Sequence, residues 1–121
     1  MKGPPVWLNV SQRRAAVEAI VGKLAELGVQ VLAASVDGCH YHVLARFRGL
    51  AVREAVGRAK KNASYALREH GLPGAVWAKR CRPLPITDRR HQVDVFGYIV
   101  SHVERGACVW TFRKGIVLAG V

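Results

Sequence analysis

Val29-Gln30-Val31-Leu32-Ala33-Ala34-Ser35-Val36-Asp37-Gly38-Cys39-His40-Tyr41-His42-Val43-Leu44-Ala45 is an apolar run, a tight turn, and a second apolar run that opens on two histidines. Asp-Gly between two such runs is a strong hairpin signal, so the stretch predicts strands over 29–36 and 40–47 joined at Asp37-Gly38. Side chains at i and i+2 of a strand share a face, which puts His40 and His42 side by side just past the turn. Two imidazoles on a stiff strand end are candidate ligands for one divalent metal. The alternative is an exposed histidine pair that binds nothing.

The pattern extends in both directions. Upstream, residues 5–10 predict a short strand after a Pro-Pro start, and Ser11 is a good N-cap. The helix that follows carries Val17, Ile20, Val21, Leu24 and Leu27 at helical spacing and ends at Gly28. Downstream, Gly49 ends the returning strand and a second helix is expected from about Leu50 to His70. Its apolar stripe is Val52, Val56, Ala59, Ala63 and Leu67, with Ala55 and Ala66 beside it. Residues 75–81 then read as a strand, which becomes irregular through Pro83 and Pro85. The order β-α-β-β-α-β predicts an α+β, ferredoxin-like domain over 1–121, an antiparallel sheet with both helices on one face.

A third helix is expected from Thr87 or Asp88 to about Arg105, with Gly106 after it. Val95, Phe96, Ile99 and Val103 make its packing stripe, while Tyr98 and His102 stack one turn apart on a neighbouring face. Residues 108–112 predict a last short strand, and the apolar tail from Lys114 to Val121 is an edge strand or a dimer contact.

Nineteen Lys and Arg against eight Asp and Glu give a net charge of +11, which points to a polyanionic partner, nucleic acid or an anionic membrane surface. No apolar run reaches the roughly 20 residues that cross a bilayer. Cys39, Cys81 and Cys108 form no CxxC pair, which argues against a zinc ribbon or a disulfide framework and fits a reducing cytoplasm. Arg53, Lys60, Lys61 and Arg68 of the second helix, with Lys79 and Arg80, are candidate DNA contacts or simply a solvated face. Trp7, Trp77 and Trp110 are candidates for base stacking or for the core.

A hydroxyl nucleophile beside a metal-bound phosphate is chemically coherent, so Tyr98 is the candidate catalytic residue and His40, His42 and His102 the candidate ligands. Tyr65 is the rival nucleophile, with Glu69 as its only nearby ligand.

His40-Tyr41-His42, followed on a later helix by Tyr98-Ile99-Val100-Ser101-His102, resembles the single-tyrosine HUH transposases of the IS200/IS605 type, including the REP-associated tyrosine transposases. The resemblance runs roughly from Val6 to Val109. It implies metal-dependent nicking and joining of single-stranded DNA through a 5′-phosphotyrosine, with hairpins as recognition elements. It further implies a homodimer whose active sites are built in cis or in trans. His102 stands where that family usually has Gln or Asn; imidazole favours transition metals, so Mn²⁺ is expected to serve as well as Mg²⁺. A non-catalytic, domesticated DNA-binding module of the same fold is the alternative, and a structural dimer without nucleic acid is a third reading.

Overall fold

A computed structural model of the chain describes residues 8–38, 40–47, 51–71 and 83–117. The strand expected over 75–81, residues 5–7 of the first expected strand, Lys79, Arg80, Trp7, Trp77, Cys39 and Cys81 lie outside them.

The first helix, α1 (Val10–Glu26), is capped two residues before the Ser11 expected from sequence. Asn9 is the cap: its side chain accepts the Gln12 N–H and Gln12 Oε1 accepts the Asn9 N–H, both at 2.8 Å. That reciprocal pair satisfies two orphan donors at once, which a lone Ser11 does not, and a cap of this kind is worth about 1 kcal/mol. Residues 8–10 therefore enter a helix rather than a strand. Leu8 is fully buried, and its N–H still reaches the Gly38 carbonyl at 2.8 Å, tying the start of α1 to the hairpin. At the other end Gly28 takes the left-handed conformation (φ 82°) that turns the chain into the sheet.

Strands β1 (Gln30–Val36), β2 (Tyr41–Arg46), β3 (Cys108–Thr111) and β4 (Gly115–Val117) form one antiparallel sheet in the order β2-β1-β3-β4. The 114–121 tail thus supplies an edge strand to its own sheet over 115–117. The hairpin is closed by Asp37 N–H donating to the His40 carbonyl at 3.0 Å, so His40 belongs to the turn and β2 starts one residue later than expected. Register in β1 shifts between Val31 and Ala33, a bulge at Leu32 whose carbonyl accepts the Phe112 N–H at 3.1 Å.

Every residue of β1 after Gln30 is buried, because both sheet faces are covered. On one face Ala34 and Val36, with Tyr41 and Val43 of β2, pack against Val17, Ile20 and Leu24 of α1 and against α2 (Val52–Glu69). The small residues Ala55, Ala59 and Ala63 bring α2 close beside α1. On the other face Leu32, Ala33 and Leu44 meet Ile99, Val95 and Phe96 of α3 (Arg89–Ser101). The chain is α+β, compatible with the ferredoxin-like arrangement, with α1 and α2 on one face of the sheet and the tyrosine-bearing helix on the opposite one.

Asp88, of the two caps expected, caps α3: its carboxylate accepts the His91 N–H at 2.8 Å. The α-helix stops at Ser101, and His102–Arg105 tighten into a 3-10 turn before Gly106 (φ 87°) reverses the chain. Arg13 clamps that reversal, donating to the carbonyls of Leu8 and Gly106 at 2.9 Å each.

Candidate active site

Alternation along β2 sends Tyr41 and Val43 to the α1 side and His42 and Leu44 to the α3 side. His42 sits opposite Ser35 in the β1–β2 register, under the C-terminal end of α3. There three rings meet, from β2, α3 and the 3-10 turn. The centroids of His42 and His102 are 5.0 Å apart, those of Tyr98 and His102 4.7 Å, and those of His42 and Tyr98 6.1 Å. Burial grades across the group: His102 is 6% exposed and Tyr98 is 56% exposed, so the phenol stands open above a sheltered imidazole.

The 3-10 turn decides how His102 is held. Tightening sends the His102 N–H to the Ile99 carbonyl, leaving the Tyr98 carbonyl without its usual i+4 backbone donor. His102 Nδ1 takes that acceptor at 2.7 Å and Ser101 Oγ shares it at 2.6 Å. A carbonyl only accepts, so Nδ1 carries a proton, and in the neutral ring it is Nε2 that has the lone pair. Burial, first, and then the neighbouring His102 and His40 hold the His42 pKa below its ordinary 6.5, with Asp37 pulling the other way. A neutral His42 also has a lone pair to offer.

His40 is placed differently. It precedes β2, its backbone N–H donates to Asp37 Oδ1 at 2.6 Å, and its Nδ1 lies 3.6 Å from the same oxygen with the side chain 71% exposed. Among the described residues no group of three or more His, Cys, Asp and Glu side chains stands at metal-ligand separations. Of the three histidines singled out in the sequence, His42 and His102 come together with Tyr98, and His40 stands at the rim against Asp37. From sequence Asp37 is only a turn residue and Ser101 only a helix position. A carboxylate three residues before the first histidine, and a hydroxyl next to the third, are the signals that point to them.

The α2 cations lie on the other face of the sheet. Arg53, Lys61 and Arg68 are exposed, while Lys60 is half-buried with its ammonium 5.7 Å from the Tyr41 ring centroid. Lys23, Arg58, Lys61, Asn62 and Tyr65 line a shallow groove of about 310 Å³ on the outer surface of α1 and α2. Tyr65, the rival nucleophile, is half-exposed there under the Arg68 guanidinium, 4.8 Å from its ring, and Lys61 and Arg58 are its groove neighbours. Trp110 is partly buried in the α1-side core. Burial pushes the Cys108 thiol up, as suits a packing cysteine.

No family model, no curated protein and no solved structure matches the chain. Among the described residues no helix is long and apolar enough to cross a membrane.

Proposed function

We propose that the protein is a metal-dependent, transposase-like enzyme that nicks and rejoins single-stranded DNA, with Tyr98 as nucleophile. The observation that carries this reading is the convergence of Tyr98, His42 and His102 from a helix end and a strand, with His102 locked in the tautomer that leaves Nε2 free. His42 and His102 offer the nitrogen donors that a divalent transition ion takes and would hold Mn²⁺ or Mg²⁺, and His40 would become the third ligand on leaving Asp37. Such an ion supplies neutralisation of phosphate charge and a Lewis acid for the leaving oxygen.

The chain's own residues do the rest. The exposed Tyr98 hydroxyl gives its proton to solvent and attacks phosphorus in line; the P–O3′ bond breaks and the departing oxygen takes up a proton as a free 3′-OH. The 5′-phosphotyrosine preserves a phosphodiester, so a 3′-OH can reverse the step and join strands. Homodimerisation, with each α3 serving its own or the partner's histidines, is part of the proposal. The α2 cations, facing away from the site, would contact a different segment of DNA, such as a flanking hairpin.

The engagement of His40 by Asp37 favours one competing reading, a DNA-binding module of the same fold that has lost the chemistry. A single-stranded oligonucleotide labelled at its 3′ end separates the two. With Mn²⁺ the enzyme reading gives an SDS-resistant labelled band; the binding-module reading gives salt-dependent binding and no such band.

A further inference from the structure

Tyr98 looks to one side of α3, toward His42, and Phe96 looks to the other, where its ring meets Phe112 at 6.4 Å between centroids and 73° between planes. Phe112 opens the tight turn between β3 and β4. Its N–H is fixed on the Leu32 carbonyl at 3.1 Å, Lys114 N–H donates to Thr111 Oγ1 at 3.2 Å, and Gly115 (φ 67°) completes the reversal. A hairpin held this firmly presents a half-exposed aromatic ring with the Arg113 guanidinium 5.4 Å from its centroid and the exposed Lys114 beside it. Edge support from Phe96 on α3 fixes the ring's angle without burying it.

We infer that this turn is a stacking site for an unpaired nucleobase, with Phe112 supplying the ring and Arg113 and Lys114 contacting the adjoining phosphates. The chemistry is that of single-strand binders, which combine a π-face with cations that track the backbone. The site rests on the proposed single-stranded substrate but not on cleavage. It lies on the same sheet face as Tyr98, across α3, at a point where exposed Gly97 leaves no side chain in the way.

The test uses single-stranded DNA carrying 2-aminopurine at successive positions, bound by the Tyr98→Phe protein so that no turnover occurs. Fluorescence quenching concentrated at one position is expected. Phe112→Leu, which keeps the apolar contact with Phe96 but removes the π-face, is expected to abolish that quenching and weaken binding roughly tenfold. Phe112→Trp is expected to restore both, and thermal unfolding of each variant reports whether the fold is intact. Unchanged quenching and affinity in Phe112→Leu would overturn the inference, as would Phe112-dependent binding to anionic vesicles with none to DNA. Adduct formation by the Tyr98 protein on the same oligonucleotides is scored separately. An adduct without Phe112-dependent quenching removes the stacking site and leaves the chemistry; quenching without an adduct does the reverse.

Discussion

His102 Nδ1 donates to the backbone carbonyl of Tyr98 across 2.7 Å, so the ring is oriented by the very residue whose side chain it meets edge to face. The proposed nucleophile and the candidate ligand are thereby tied together where α3 passes into the 3-10 turn. Any movement of the helix end moves both.

This link sets the expected behaviour of substitutions at His102. His102→Ala should lower adduct formation by at least roughly tenfold to a hundredfold, the cost of losing even a residue that only orients a metal ligand. His102→Gln should retain much of the activity, and should move the preference from Mn²⁺ toward Mg²⁺ because an amide oxygen is the harder ligand. Rates with each ion across the three proteins decide it. Equal Mg²⁺ and Mn²⁺ dependence in all three would remove His102 from the ligand set.

Stability should depend on pH through His42. Its folded pKa lies below the ordinary 6.5, so below that value the unfolded chain takes up the proton more readily than the folded one. The contribution is therefore fully present above pH 6.5 and is lost as pH falls from 6.5 toward the lowered value. Denaturant melts across that window, without added metal, should show a steeper loss for the native protein than for His42→Asn. A loss of equal size in both would assign the dependence elsewhere.

Gly106→Ala is expected to destabilise the fold by about 1–2 kcal/mol, the cost of a side chain in the left-handed region. The glycine has φ 87°, and an added Cβ would stand 3.3 Å from the Arg13 guanidinium. Chemical denaturation reads the change directly. An unchanged midpoint would mean that the reversal after the 3-10 turn is not held as described.

Lys61→Gln and Arg68→Gln should leave cleavage of a short single strand unchanged, because both residues sit on the face opposite His42. If these cations contact phosphates, each substitution should reduce the salt slope of binding to longer, hairpin-bearing DNA by about one. Slopes identical to the native protein would make the α2 surface a solvated face only.

The hairpin, the two apolar stripes and the Tyr98–His102 step were all readable in the sequence, because each is a local periodicity or a turn signal. What escaped it is long-range or two-valued. Asn9 and Ser11 are both good caps two residues apart, and only the reciprocal Gln12 bond separates them. The β1 run is apolar but for Gln30 and Ser35, so it shows no alternation to tell that the tyrosine helix covers the face opposite α1 and α2. The bulge at Leu32 leaves no trace in composition. From sequence His40 is equivalent to His42, since a period of two joins them, but in the fold His40 lies in a turn where Asp37 holds its backbone.

The most direct test of the central claim is to locate the covalent bond. After incubation with single-stranded DNA and Mn²⁺, followed by nuclease and trypsin, mass spectrometry should find the peptide spanning residues 91–105 carrying a nucleotide on Tyr98. Tyr98→Phe should give no such species. A nucleotide on the 62–68 peptide, which carries Tyr65, or an adduct that survives Tyr98→Phe, would contradict the account.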